Sequence, residues 1–240
     1  MPTDLHTAWL DLRGSPLFGA PLTLLAYLAA CRIQAAFRGA ALANPVLIGI
    51  AVVIAVLQLT GTSYATYFGG ARLINLLLGP ATIALAVPLV ANLEHVRRNL
   101  AAVCVATVAG SVVSVVTGIA LVLLFGGSAT IAASMAPKAA TTPIAMGVAQ
   151  VSGGIPALTA SFAILGGIVV ACLAPVVLRW TRVTDWRAYG LAAGTAGSGI
   201  AAAQVAPRNP TAAAFAGLAI GLNGLITAVM APIIIHTWPF

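Results

Sequence analysis

The chain is 240 residues long, 61% hydrophobic and only 6% charged, with a net charge of +7. Soluble domains carry about 25% charged residues, so this chain has too few charges to cover a water-facing surface and its main solvent is lipid. The apolar runs lack the period-2 alternation of an outer-membrane barrel. What remains is an all-α, polytopic transmembrane helical bundle.

Residues 1–15 read as an N-terminal tail, and 16–240 as one transmembrane domain. The tail lacks a charged region followed by an apolar stretch and a cleavage site, which makes a multi-pass protein of a bacterial inner membrane the expectation. The first apolar span covers about 16–37 and ends in Arg32 and Arg38; the second opens at Asn44-Pro45 and runs to about Thr60. Proline suits a helix start, where its missing N–H has no partner to lose. A connector follows at 61–70. The stretch 71–93 is apolar but broken by Gly79-Pro80 and by Pro88, with Thr82 between them. Next come a long clean span at about 100–125, the stretch 128–150, and a hinge at 152–156. A span at about 156–180, a charged connector at 181–187, a Gly/Ala-rich member at 188–204 and a last span from Thr211 complete the chain.

Arginines cluster at 32–38, 94–98 and 179–187. The positive-inside rule puts all three in the cytoplasm, and they are topology signals rather than a nucleic-acid surface, since no basic patch is interleaved with aromatics. Only one crossing then fits between 127 and 179. The stretch 156–180 is clean and 128–150 is not, so 128–150 is expected to be a re-entrant or half-crossing segment entered from outside. The three spans from Asn44 then start inside and the three from Pro156 start outside. Each triple has a broken middle member, at Gly79-Pro80-Ala81-Thr82 and at Gly194-Thr195-Ala196-Gly197. That order suggests an inverted repeat with halves of about 16–126 and 127–240.

The segment Met135 to Gln150 holds the chain's one lysine, Lys138, between Pro137 and Pro143, with Thr141-Thr142 before the second proline. Proline frees helix carbonyls that need new partners. A cation at membrane depth costs several kcal/mol (about 3 on insertion scales) unless it meets a partner or water. An interrupted, partly hydrated segment that receives a small anion follows from this. The alternative is a lysine snorkelling to the interface. Thr82, Thr141 and Thr142 are candidate donors to a carboxylate, against the usual bond of a membrane threonine to its own helix. Gly194, Thr195 and Ser198 sit where glycines permit close backbone approach, or where small residues let helices pack. Asn223 lies inside the last span and needs a partner, either a facing helix or a passing substrate.

The acids are Asp4, Asp11, Glu94 and Asp185, all in tails or connectors. A cation or proton antiporter keeps an acid at depth, so that class is disfavoured. His6, His95 and His236 are far apart, and Cys31, Cys104 and Cys172 are isolated. No enzyme, cofactor or metal site is expected.

The stretches 44–50 (NPVLIGI), 77–89 (LLGPATIALAVPL), 136–146 (APKAATTPIAM), 153–160 (GGIPALTA) and 214–232 (AFAGLAIGLNGLITAVMAP) occur in an order that resembles the LrgB/CidB family of bacterial membrane proteins, and the plastid glycolate/glycerate translocators that share the domain. The resemblance covers nearly the whole chain after Pro16 and has two functional implications. One is transport of short carboxylates such as glycolate, glycerate or pyruvate. The other is regulation of murein hydrolase export and lysis with a small holin-like partner of the LrgA/CidA type. The lone cation beside helix breaks favours transport by alternating access, and a chain this short for a transporter is expected to form a homodimer that supplies a scaffold for the moving elements. Lys138, Thr141, Thr142, Pro143, Gly194 and Thr195 match the family's pattern. Ser198 stands where the family commonly has His, Gln204 where Arg is common, and an acid usual before the 214–219 stretch is missing.

Overall fold

The computed structural model describes residues 16–37, 43–77, 80, 90 and 93–239. Thr82, the tail 1–15 and, apart from Pro80, the break expected around Gly79 lie outside the described residues. The described chain is all-helical, and four of its helices are long and apolar enough to cross a membrane. It divides into two compact units, 1–84 and 85–240.

The first unit holds α1 (Pro16–Ala36), α2 (Pro45–Thr60) and α3 (Tyr64–Leu76). The Asn44 side chain caps α2 by accepting from the N–H groups of Val46 at 2.9 Å and Leu47 at 3.4 Å, with Pro45 in the first turn. Gly61, at φ 62°, closes the helix in the left-handed conformation. α1 and α3 approach closely at Gly19, where a β-carbon would meet the backbone of Tyr67 and Ala71. Beside that contact the hydroxyls of Thr23 and Tyr67 share a 2.7 Å hydrogen bond.

The second unit contains α4 (Leu93–Arg98), α5 (Leu100–Leu124), α6 (Ala129–Met135), α7 (Thr142–Val151), α8 (Pro156–Trp180), α9 (Trp186–Val205) and α10 (Pro210–Thr237). At about 1.5 Å per residue, α5, α8 and α10 each exceed the roughly 30 Å of a hydrocarbon core. α5 and α10 run parallel. Val103 packs with Phe215 and Leu218, Ser111 meets Asn223, and Val115 and Ile119 pack with Ala231 and Ile235. α8 runs the other way. Its start is tied to α6 by Ile155 N–H donating to Ser134 Oγ at 2.8 Å and by Thr159 Oγ1 donating to the Ser134 carbonyl at 2.9 Å.

Exposed Arg97, Arg98, Arg179, Arg182, Arg187 and Arg208 all adjoin the end of this unit where α5 and α10 begin and α8 finishes. The positive-inside rule would assign that end to the cytoplasm. Trp180 and Trp186 flank the same boundary and are exposed, as interfacial tryptophans are. Asp185 caps α9 and pairs with Arg187 at 2.6 Å; hydrogen bonds from Arg187 hold its carboxyl below the usual carboxylate range.

Two hairpins fill the space between the long helices. In the first, α6 descends along α5, since Ala132 packs with Ile119, Met135 lies against Gly118 and Lys138 reaches Ser114. Residues 136–141 then turn, and α7 climbs back along α10, where Asn223 holds Ala139, Ile144 lies against Gly224 and Val148 packs with Ala231 and Ile235. The stretch 128–150 is therefore re-entrant, as the arginine pattern implied. Ala136, Pro137, Ala139 and Ala140 are buried, so this irregular backbone lies within protein, where it is tolerated at membrane depth. Its own turns satisfy part of it, with Lys138 N–H on the Met135 carbonyl and Ala140 N–H on that of Pro137.

The second hairpin is α9. A straight helix would hold Tyr189 and Gln204 about 22 Å apart, yet both line one crevice with Ala193, Ala201 and Val205. The reversal falls at Ser198, whose φ of 49° and ψ of −143° are not helical. The first arm lies on α10 through Gly190 and Gly194, where β-carbons would collide with the backbone at Ala212 and Ala216. The turn lies against Gly167, in the middle of α8. The Gly/Ala-rich member is broken where the glycines cluster, but it does not cross the membrane. α10 consequently runs in the same direction as α5, which the reading of three spans from Pro156 did not anticipate. Each of α5 and α8 is followed by a hairpin that dips back from the side where its helix ends, so the two pairs are inverted relative to each other.

Candidate functional site

Both hairpins meet the middle of α5. Thr195, on the first arm of α9, sets its methyl against Gly110, where a β-carbon would sit 3.0 Å away. Ser111 is next along α5 and bonds Asn223, which in turn holds the first hairpin at Ala139. Ser114 and Gly118, one and two turns on, receive Lys138. Gly110 and Ser111 each lie three to four residues before Ser114, and Gly118 four after it, so the four share one side of α5. That face was the part missed in the sequence, where 100–125 reads as a clean apolar span. The small residues at helical spacing were the available signal.

The Lys138 ammonium donates to the Ser114 carbonyl at 2.8 Å and to the Ser114 hydroxyl at 3.3 Å. Ser114 is near the centre of a 25-residue helix, so the cation is held at depth and not at an interface. Gly118 makes room for it, since a β-carbon there would lie 2.8 Å from Nζ. The ion pairs among the described residues are Arg98 with Glu94 and Arg187 with Asp185, and neither reaches Lys138. Two neutral oxygens thus carry the contacts of a full positive charge.

Asn223 is 1% exposed and closes a network. Its Nδ2 donates to the Ala139 carbonyl at 2.9 Å. Its Oδ1 lies 2.5 Å from Ser111 Oγ and 3.4 Å from Thr227 Oγ1. The amide ties the first hairpin to both α5 and α10, with its oxygen and one of its N–H groups engaged by protein.

Thr141 and Thr195 differ from most of the described threonines. Thr23, Thr60, Thr107, Thr117, Thr181 and Thr237 donate to a carbonyl one turn earlier in their own helices. Thr141 and Thr195 do not: both hydroxyl oxygens are buried and have no hydrogen-bond partner. Thr141 sits at the cap position of α7 without capping it, and Thr195 is 8% exposed. Leaving a buried hydroxyl unpaired costs about 1–3 kcal/mol. Thr142 and Pro143 open α7 beside Thr141; Thr142 is half-buried and Pro143 exposed, its ring setting the helix start. Gly194 is buried against α10 next to Thr195, and Ser198 forms the turn of the second hairpin. The fold thus brings Lys138, Thr195 and Asn223 against the middle of α5, with Thr141 three residues beyond Lys138 in the first hairpin, whereas Thr82 lies outside the described residues.

A family model described as the LrgB-like family matches residues 23–237. The chain is 32% identical over 218 residues to the antiholin-like protein LrgB of Bacillus mycoides (strain KBAB4), covering 91% of this chain and 95% of that protein. The proteins of the same name from Bacillus cereus (strain B4264) and Bacillus anthracis (strain CDC 684 / NRRL 3495) are 31% identical over the same shares. No solved structure matches. With nearly its whole length matched, the chain belongs to the LrgB-like family of multi-pass membrane proteins.

Proposed function

We propose that this protein is an inner-membrane transporter of small monocarboxylates, of the glycolate, glycerate or pyruvate class, working by alternating access. One observation carries the reading: the Lys138 ammonium sits near mid-depth on the carbonyl and hydroxyl of Ser114, with no carboxylate among the described residues to pair with it. A cation in that position is costly unless an anion joins it. A carboxylate supplies the missing charge, and the start of α7, four residues on from Lys138, presents the positive end of a helix. Two hairpins entering from opposite faces supply a seal on each side of the site, the arrangement alternating access needs. A homodimer would give the moving elements a fixed frame.

The test is uptake of radiolabelled glycolate or pyruvate by the purified protein in proteoliposomes, with Lys138→Ala beside the wild type. The expected result is saturable uptake that the variant loses by at least about tenfold. Equal rates in the two proteins would remove the anion site.

A second reading rests on the relatives' name, antiholin-like protein. In it, the chain regulates murein hydrolase export and lysis together with a small holin-like subunit of the LrgA/CidA type. That reading gains if the reconstituted protein moves no carboxylate, alone or with such a subunit, while its loss from cells alters lysis.

A further inference from the structure

Two of the site's hydroxyls have no partner in the protein, and their placement says what kind of molecule they await. Thr195 is 8% exposed, and its Oγ1 is buried without a hydrogen bond. Thr141 Oγ1 is likewise buried and unpaired, although a threonine at a cap position ordinarily accepts from its own helix. The two belong to opposite hairpins. Thr195 lies against α5 at Gly110, and Thr141 follows the Ala139-Ala140 turn that Asn223 fixes beside Ser111. Lys138 Nζ sits at the level of Ser114 and Gly118. Four to eight residues along a helix correspond to about 6–12 Å. Thr195 and Lys138 therefore contact α5 within about two turns of each other.

Resting on the transport reading above, we propose that Thr195 and Thr141 read the oxygen on the carbon next to the carboxylate. The carboxylate lies on Lys138, and the neighbouring oxygen lies between the two hydroxyls. A hydroxyl both donates and accepts, so the pair receives a 2-hydroxy or a 2-keto oxygen alike. An unsubstituted acid of the same length leaves both hydroxyls buried and unpaired. Sites built to bond a substrate oxygen reject analogues lacking it far more strongly than apolar pockets reject a missing methylene. The pair is therefore a specificity determinant, distinct from Lys138, which recognises the charge common to all these acids.

The experiment is competition against radiolabelled glycolate uptake in proteoliposomes, using unlabelled glycolate against acetate and unlabelled pyruvate against propionate. The wild type is expected to favour the oxygenated member of each pair by about tenfold or more. Thr195→Val, which keeps the shape and removes the hydroxyl, should narrow that preference to within about threefold, and Thr141→Val should act in the same direction. Thr195→Ser, which restores a hydroxyl, should recover the preference and excludes misfolding as the cause. Acetate competing as well as glycolate in the wild type, or a preference unchanged in both valine variants, overturns the inference and leaves the transport reading standing. Absence of saturable uptake of any carboxylate by the wild type removes both.

Discussion

Lys138 Nζ and the Ser114 carbonyl, 2.8 Å apart, join the turn of a re-entrant hairpin to the centre of a continuous transmembrane helix. The contact uses a carbonyl already committed to the ladder of α5, so it holds the cation without neutralising it. Gly118 makes the contact possible, because a β-carbon there would stand 2.8 Å from Nζ. Gly118→Ala gains about 1 kcal/mol of helix propensity, while the obstructed atom is the end of a flexible side chain that swings aside. Thermal stability in detergent should therefore hold or rise while glycolate uptake falls about tenfold. A parallel fall in stability and uptake would show that Gly118 serves packing and not the placement of the ammonium.

Asn223 makes the complementary prediction. Its amide connects Ala139, Ser111 and Thr227 and has no exposed surface to offer a substrate. Asn223→Leu keeps the branched shape and the number of side-chain heavy atoms and strands the Ala139 carbonyl. Interhelical hydrogen bonds in membranes average about 0.6 kcal/mol, and an orphaned buried group adds about 1–3 kcal/mol, so a loss of roughly 2 kcal/mol is expected in denaturant titration. Hydrogen exchange should quicken first in residues 136–141. Unchanged protection there would mean that Asn223 does not tether the first hairpin.

Ser198 adopts a φ of 49° that favours glycine, between Gly197 and Gly199. Strain of this kind costs about 1–3 kcal/mol, and a further glycine adds about 0.5–1 kcal/mol to the entropy the chain loses on folding. Ser198→Gly should thus stabilise by on the order of 1 kcal/mol. Ser198→Val should destabilise by more than that, since β-branched residues tolerate this conformation poorly. The midpoint of thermal unfolding orders the three proteins as Gly, Ser, Val. A valine variant as stable as wild type would show that the turn lies elsewhere.

Which parts of this architecture are legible in the sequence follows from what hydropathy and composition encode. Pro137, Lys138 and Pro143 announce the first hairpin, because neither a proline nor an unpaired cation belongs in a straight membrane helix. The arginines at 94–98 and 179–187 then require that 128–150 return to its own side. The second hairpin is half legible. Gly197, Ser198 and Gly199 mark a break, but a broken segment of 17 Gly/Ala-rich residues reads equally well as crossing or returning, and only packing on α10 through Gly190 and Gly194 decides it. Ser111 and Ser114 were hidden because single serines in an apolar span usually bond their own backbone. Ser111 does lie 2.7 Å from its own Thr107 carbonyl and also reaches Asn223. Periodicity names the face, and the facing helices give that face its meaning.

The direction of α10 is the most exposed consequence of the fold, and labelling can test it. If α9 returns, then Phe125, Gln150 and the end of α10 at Thr237 share one side, while Thr184 and Arg208 share the other. If α9 crossed, Thr237 would join Thr184 and Arg208 would join Phe125. Cys31, Cys104 and Cys172 are first replaced, and single cysteines are introduced at these five exposed positions. A membrane-impermeant maleimide applied to spheroplasts should modify Phe125→Cys, Gln150→Cys and Thr237→Cys and spare Thr184→Cys and Arg208→Cys until the membrane is opened. The side of Thr184 and Arg208, rich in arginine, is the one the positive-inside rule expects in the cytoplasm. Labelling of Arg208→Cys from outside would turn α9 into a crossing helix, separate its turn from Gly110 and remove Thr195 from the site.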